Sequence, residues 1–92
     1  MQNKDKIITV NDNIKFAVKE LLKKNNLTFK DIRTGDGIEV AGVCSIDFFY
    51  NSVEIITNNY HKDFKYNTKD VLNFNYRYIL DDLEAVIKHS KQ

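Results

Sequence analysis

The sequence predicts an α+β domain: an N-terminal helix, a three-stranded antiparallel meander and a long C-terminal helix, with both helices on one face of the sheet. Three observations carry that expectation. Apolar residues recur at helical spacing near each end of the chain. Between them, Ile38 to Tyr50 alternates in hydropathy over thirteen residues. Glycine- and asparagine-rich steps, Thr34-Gly35-Asp36-Gly37 and Asn51-Ser52, bracket that stretch as turns. Two helical patterns around a run of strands make a sheet with helices segregated to one side.

The first helix is expected over residues 12–24. Val10, Ile14, Ala17, Val18, Leu21 and Leu22 fall on one side, and Thr9 or Asn11 is available as a cap. Asn25-Asn26 ends it, because Asn tolerates the left-handed conformation of a helix C-cap. Residues 27–33 read as a strand running into the Asp36-Gly37 hairpin signal, although Thr28-x-x-Asp31 also matches a capping box for a short helix.

In the next stretch, Ile38, Val40, Gly42, Cys44, Ile46, Phe48 and Tyr50 share one parity and Glu39, Ala41, Val43, Ser45, Asp47 and Phe49 the other. The second set makes a semi-apolar outer face that is a candidate docking surface or is shielded by the segment around Phe29. One buried face follows, and the length predicts a bulge near Gly42. With Asn51-Ser52 as a two-residue turn, Phe49 would lie opposite Glu54 and Asp47 opposite Ile56 in a strand over residues 53–57. Residues 58–67 read as a loop or, less favourably, a short edge strand. The last helix is expected from Thr68 to His89, with Leu72, Tyr76, Ile79, Leu83, Val86 and Ile87 as its stripe.

At 92 residues the chain reads as one domain, residues 1–92, with residues 1–8 a flexible tail. An apolar fraction of 42% and a charged fraction of 29% are those of a folded globular protein. Fourteen basic and thirteen acidic residues leave a net charge of +1, so there is no global basic field of the kind nucleic-acid binders carry. A single cysteine excludes an internal disulfide framework, and the polar N-terminus with only Ile7, Ile8 and Val10 behind it is no signal-peptide core. The chain therefore reads as cytoplasmic. The lack of proline and the abundance of Asn, Lys and Ile are the imprint of an AT-rich genome, pointing to a bacterium or one of its mobile elements.

Catalytic and metal signatures are not evident. His61, His89 and Cys44 lie in three different elements at no ligand spacing. Asp81, Asp82 and Glu84 point in different directions around a helix. Gly35-x-Gly37 lacks the strand-to-helix context of a dinucleotide site. No enzyme, no cofactor and no metal is the expectation.

Surplus aromatics are the remaining signal. Nine of the eleven Phe and Tyr residues lie between Phe48 and Tyr78. Val71, Phe74 and Tyr78 form a second ridge on the last helix, away from its core stripe. Either the loop residues Tyr60, Phe64 and Tyr66 fold over that ridge, or the ridge is a dimer or partner interface, where Tyr and Phe are enriched. Phe16 stands beside Lys15, Lys19 and Lys23, spaced as one row, which is a solvated face or a basic ridge for an acidic partner. The candidate partner-binding residues are thus Phe74, Tyr78, Tyr60, Phe64, Tyr66, Phe16, Lys15, Lys19 and Lys23.

The expected order of helix, three strands and helix is similar to that of double-stranded-RNA-binding domains. That family opens its last helix with a lysine cluster that grips phosphates; here the matching stretch is Asn67-Thr68-Lys69-Asp70, with one lysine beside an acid. The favoured expectation is a small non-enzymatic protein that binds a protein partner, an accessory or inhibitor protein of bacterial or phage origin, in general description like anti-CRISPR or toxin-immunity proteins. A homodimer is one form of that interface. A duplex-RNA-binding-like module is the alternative.

Overall fold

The computed structural model describes residues 3–68 and 76–91, with side chains from residue 11 onward. Helix α1 (Asn3–Lys24) is followed by strands β1 (Phe29–Ile32), β2 (Gly37–Val40), β3 (Cys44–Phe48), β4 (Ser52–Thr57) and β5 (Phe64–Asn67), and by helix α2 (Arg77–Ser90). The fold class is α+β as expected, but the sheet has five strands where three were expected. All are antiparallel and paired in chain order, β1-β2-β3-β4-β5. Among the described residues no helix is long and apolar enough to cross a membrane.

The count differs for two reasons. The expected long strand with a bulge is a hairpin: Val40 pairs with Cys44, and Gly42 turns between them at φ 75°. Only a residue without Cβ enters that conformation at no steric cost. The second reason is β5, in the segment favoured as a loop, which pairs Ile55 with Phe64 and Val53 with Tyr66.

The turn between β3 and β4 also sits one residue earlier than expected. Phe49 N–H donates to the Ser52 carbonyl at 2.8 Å, so Tyr50 and Asn51 make the turn. Asp47 therefore faces Glu54 rather than Ile56, which faces Ser45. Helix α1 begins at Asn3 rather than near Asp12, so Asn11 lies inside it and is no cap. At its other end Asn26 adopts φ 58°, with Asn26 N–H bonded to the Lys23 carbonyl and Leu27 N–H to the Leu22 carbonyl. That pair of bonds closes the helix by satisfying carbonyls left open at its last turn.

One face of the sheet carries the core. Ile38, Val40, Cys44, Ile46, Phe48, Val53 and Ile55 are buried against Ile14, Val18 and Leu22 of α1 and Ile79, Leu83, Val86 and Ile87 of α2. Burying each such side chain contributes about 1.5–3 kcal/mol, so this interlayer dominates the stability of the domain. Tyr76, expected in the α2 stripe, instead precedes the helix and stays partly exposed, and Leu72 lies outside the described residues. Phe29 packs on the core side as well, so it does not cover the other face.

That second face is uncovered by either helix. By register it carries Lys30, Ile32, Glu39, Ser45, Asp47, Glu54, Ile56 and Lys65. Val43, expected on this face, is buried in the β2–β3 turn. The Arg33 guanidinium pairs with the Asp47 carboxylate on this face, and Lys65 lies 3.9 Å from Glu54 on the other side. Lys30, Arg33 and Lys65 thus offset Glu39, Asp47 and Glu54.

Candidate functional site

The expected partner-binding residues divide into three sets. Tyr60, Phe64 and Tyr66 are half-buried and pack against the rim of the core. Register explains two of them: Phe64 and Tyr66 stand beside Ile55 and Val53 on the helix-covered face. Their rings stack at 6.3 Å, and the Tyr66 hydroxyl donates to a carboxylate oxygen of Asp82 in α2. Burial, then that bond and the Asp82 charge, push the Tyr66 phenol well above the usual tyrosine range. The Tyr60 ring meets His89 edge-on at 5.3 Å and His61 at 4.3 Å, bringing two histidines from separate elements to one ring. These aromatics tie the last strand and the loop before it to α2.

The basic row on α1 is broken up. Lys19 is paired with Asp31 at 3.0 Å. Lys15 lies 4.0 Å from Asp12, with its ammonium 5.3 Å from the centre of the Phe48 ring. Lys23 is exposed and has no ion pair among the described residues. Phe74 and Val71, the rest of the ridge with Tyr78, lie outside the described residues.

Among the described residues five aromatic side chains remain in water, in two places. Phe49 and Tyr50 at the β3–β4 turn are 46% and 56% exposed. Phe16 on α1 and Tyr76 and Tyr78 at the start of α2 are 68%, 38% and 66% exposed. Ala17, Tyr76, Arg77 and Leu80 line a shallow groove between the helices, and Phe16 and Tyr78 adjoin its walls in sequence. Sequence reasoning counted Phe49 and Tyr50 with a strand, Phe49 on its outer face, and neither was among the expected partner-binding residues. The signal was available in their position beside Asn51, since a turn projects its residues out of the sheet.

The β3–β4 turn also forms a concave site. Asn11, Asp12 and Lys15 of α1, Asp36 before β2, and Phe48, Phe49 and Tyr50 line a cleft of about 190 Å³. Ligand pockets for cofactor-sized molecules run to roughly 300–1,000 Å³, so this cleft has room for a single side chain. Asn11 is 8% exposed, and its amide Nδ2 donates to the Phe49 carbonyl at 2.9 Å. Its Oδ1 is buried with no hydrogen-bond partner among the described residues.

Groups that could carry chemistry are dispersed. Among the described residues no three metal-ligating side chains gather. Cys44 is buried, and burial pushes its thiol up to about 12, which disfavours the nucleophilic thiolate. The arrangement is suited to recognition by exposed rings and short-range polar contacts. The chain matches no protein-family model, no curated protein and no solved structure.

Proposed function

We propose that this chain is a non-enzymatic binding protein that acts on a protein partner, an accessory or inhibitor protein of bacterial or phage origin working in the cytoplasm. The observation that carries the reading is the pair of exposed aromatic groups, Phe49 with Tyr50 and Phe16 with Tyr76 and Tyr78. A small domain with a filled core does not need these rings for folding. Tyr and Phe in such positions are the side chains that anchor protein interfaces, since each removes a large area from water at little cost in rotamer freedom.

Phosphate binding is less well supported. In the row of Lys15, Lys19 and Lys23 two of the three are engaged by Asp12 and Asp31, and the open sheet face balances its charges. The order of elements is also helix, five strands, helix, so the analogy with duplex-RNA-binding domains loses its basis.

The test places a photo-cross-linking benzophenone residue at Tyr50, at Tyr78 and, as a control on the open face, at Lys30, in the full chain expressed in bacterial cells. The expected outcome is a discrete protein adduct from Tyr50 or Tyr78 and none from Lys30. An adduct at the mass of two chains would identify a homodimer. Tight binding to labelled duplex RNA, duplex DNA or single strands that weakens steeply with salt, with no protein adduct, would overturn the reading.

A further inference from the structure

The cleft at the β3–β4 turn has a recognisable chemical preference. The Asn11 amide cannot be turned around, because its Nδ2 is held by the Phe49 carbonyl at 2.9 Å and an oxygen in that place would face another acceptor. Oδ1 is therefore fixed as a buried acceptor with no donor among the described residues, in a residue only 8% exposed that lines the cleft. An unpaired polar atom inside a protein carries a free-energy penalty that a hydrogen-bond donor would relieve. The cleft also lies between two carboxylates, Asp12 and Asp36, and one ammonium, Lys15. Lys15 lies 4.0 Å from Asp12 and beside the Phe48 ring, and two carboxylates against one ammonium leave the lining net negative for an incoming group. The position of Lys15 near that ring also shows that an aromatic wall here accommodates a cation.

We propose that this cleft receives an arginine side chain of the partner protein. The guanidinium donates to Asn11 Oδ1, Asp36 answers its charge, and its plane lies against Phe49 or Tyr50. The assignment rests on the protein-binding reading above and names the chemistry of the partner. Arginine is favoured over lysine because a planar fork with five donors can reach an amide oxygen and a carboxylate together while stacking on a ring. A cleft of about 190 Å³ matches a side chain, and the net negative charge of its lining disfavours an acidic one. Oδ1 has no exposed surface, so the donor reaches it as the lining adjusts. Phe49 and Tyr50, about half exposed beside and within a two-residue turn, are the side chains with room to do so.

The test is a titration of the full chain, isotopically labelled, with three blocked tripeptides followed by two-dimensional NMR. These are acetyl-Gly-Arg-Gly-amide, the same peptide with neutral citrulline in place of arginine, and the same peptide with glutamate. The arginine peptide is expected to give saturable shifts at the Asn11 side-chain amide and at the backbone amides of Phe49 and Tyr50. Asp36→Asn and Tyr50→Ser, both at exposed side chains, are each expected to weaken it by about tenfold, the effect of losing one contact to a charged group. No saturable shift at millimolar peptide, an equal response to citrulline or glutamate, or shifts confined to α2 would overturn the assignment. A persistent cross-link from Tyr50 with no arginine response would remove this site and leave the protein-binding reading standing. Loss of both would remove both.

Discussion

The two faces of the sheet are made from the same strands and behave as different materials. The helix-covered face is aliphatic, with Ile38, Val40, Ile46, Val53 and Ile55 almost wholly buried and with Phe64 and Tyr66 extending it to the last strand. The open face is a lattice of charges in which Arg33 pairs with Asp47 and Lys65 stands near Glu54. Stability resides on the first face, and the second face carries charges of both signs in near balance. Among the described residues the rings that neither face absorbs, Phe49, Tyr50, Phe16, Tyr76 and Tyr78, are at a turn and on or beside the helices. In this molecule the exposed rings are therefore at the margins of the sheet.

Mutations can break that contrast at its strongest point. Phe64→Ala removes a ring from the rim of the covered face, and is expected to cost about 2–3 kcal/mol, toward the lower end for a phenylalanine because the site is half-buried. Phe49→Ala is expected to change stability by less than about 0.5 kcal/mol, as surface substitutions do. Denaturant midpoints of the two variants measure the difference. Equal losses would mean that the β3–β4 turn belongs to the core.

Alkaline pH sharpens the same contrast through Cys44, which lies on the covered face. Its folded value of about 12 stands above the ordinary 9.0. A thiol whose value is raised by folding contributes its full stability below about pH 9 and loses it as pH rises toward 12. Between those limits the expected loss is up to about 1.4 kcal/mol per pH unit. Cys44→Val should unfold with a shallower pH dependence over that window than the parent chain. Identical slopes in thermal melts from pH 8 to pH 10.5 would show that the thiol has no part in it.

The smallest effect is expected at the turn that feeds the open face. Arg33 and Thr34 both adopt positive φ, 50° and 54°, ahead of Gly35 at 94°. A β-branched residue in the left-handed region is sterically costly, and only part of that cost is offset by the bond from Thr34 Oγ1 to the Arg33 carbonyl at 2.6 Å. Thr34→Gly is expected to stabilise the fold by about 0.5–1 kcal/mol, the relief of the steric term less the entropy glycine adds to the unfolded chain. A lower melting temperature would show that the hydroxyl bond outweighs the strain.

Much of this architecture was legible as periodicity, and the misreadings have a common physical origin. Alternation reports which face a residue takes and says little about whether the chain has reversed direction. Val40 and Cys44 pair across a three-residue turn, so Ile38 to Phe48 keeps one parity through a hairpin just as it would along a single strand. Moving the next turn from Asn51-Ser52 to Tyr50-Asn51 changes which residues face each other but again leaves the faces unchanged. Glu54 and Ile56 were correctly placed on the open side for that reason. For β5, the alternation Phe64, Lys65, Tyr66, Asn67 was present but short, and it lay in a stretch of Asn and Lys that read as loop. The cleft at Asn11 was not legible at all, because it joins residues from α1, the approach to β2 and the β3–β4 turn. No local spacing encodes that meeting.

The chain-order meander has a kinetic consequence. Each strand finds its partner in the segment just before or after it, so contact order within the sheet is low and loop-closure entropy is met in small steps. The hairpins can zip successively as the polypeptide lengthens. The approach of α2 to α1 is different: Lys91 reaches the Asn25 carbonyl at 3.3 Å, closing a loop across most of the chain. Until α2 docks, the aliphatic face is shielded on one side only. A nascent or truncated chain ending before Arg77 would present that greasy surface to its neighbours, so the expected failure of such a fragment is self-association rather than simple unfolding.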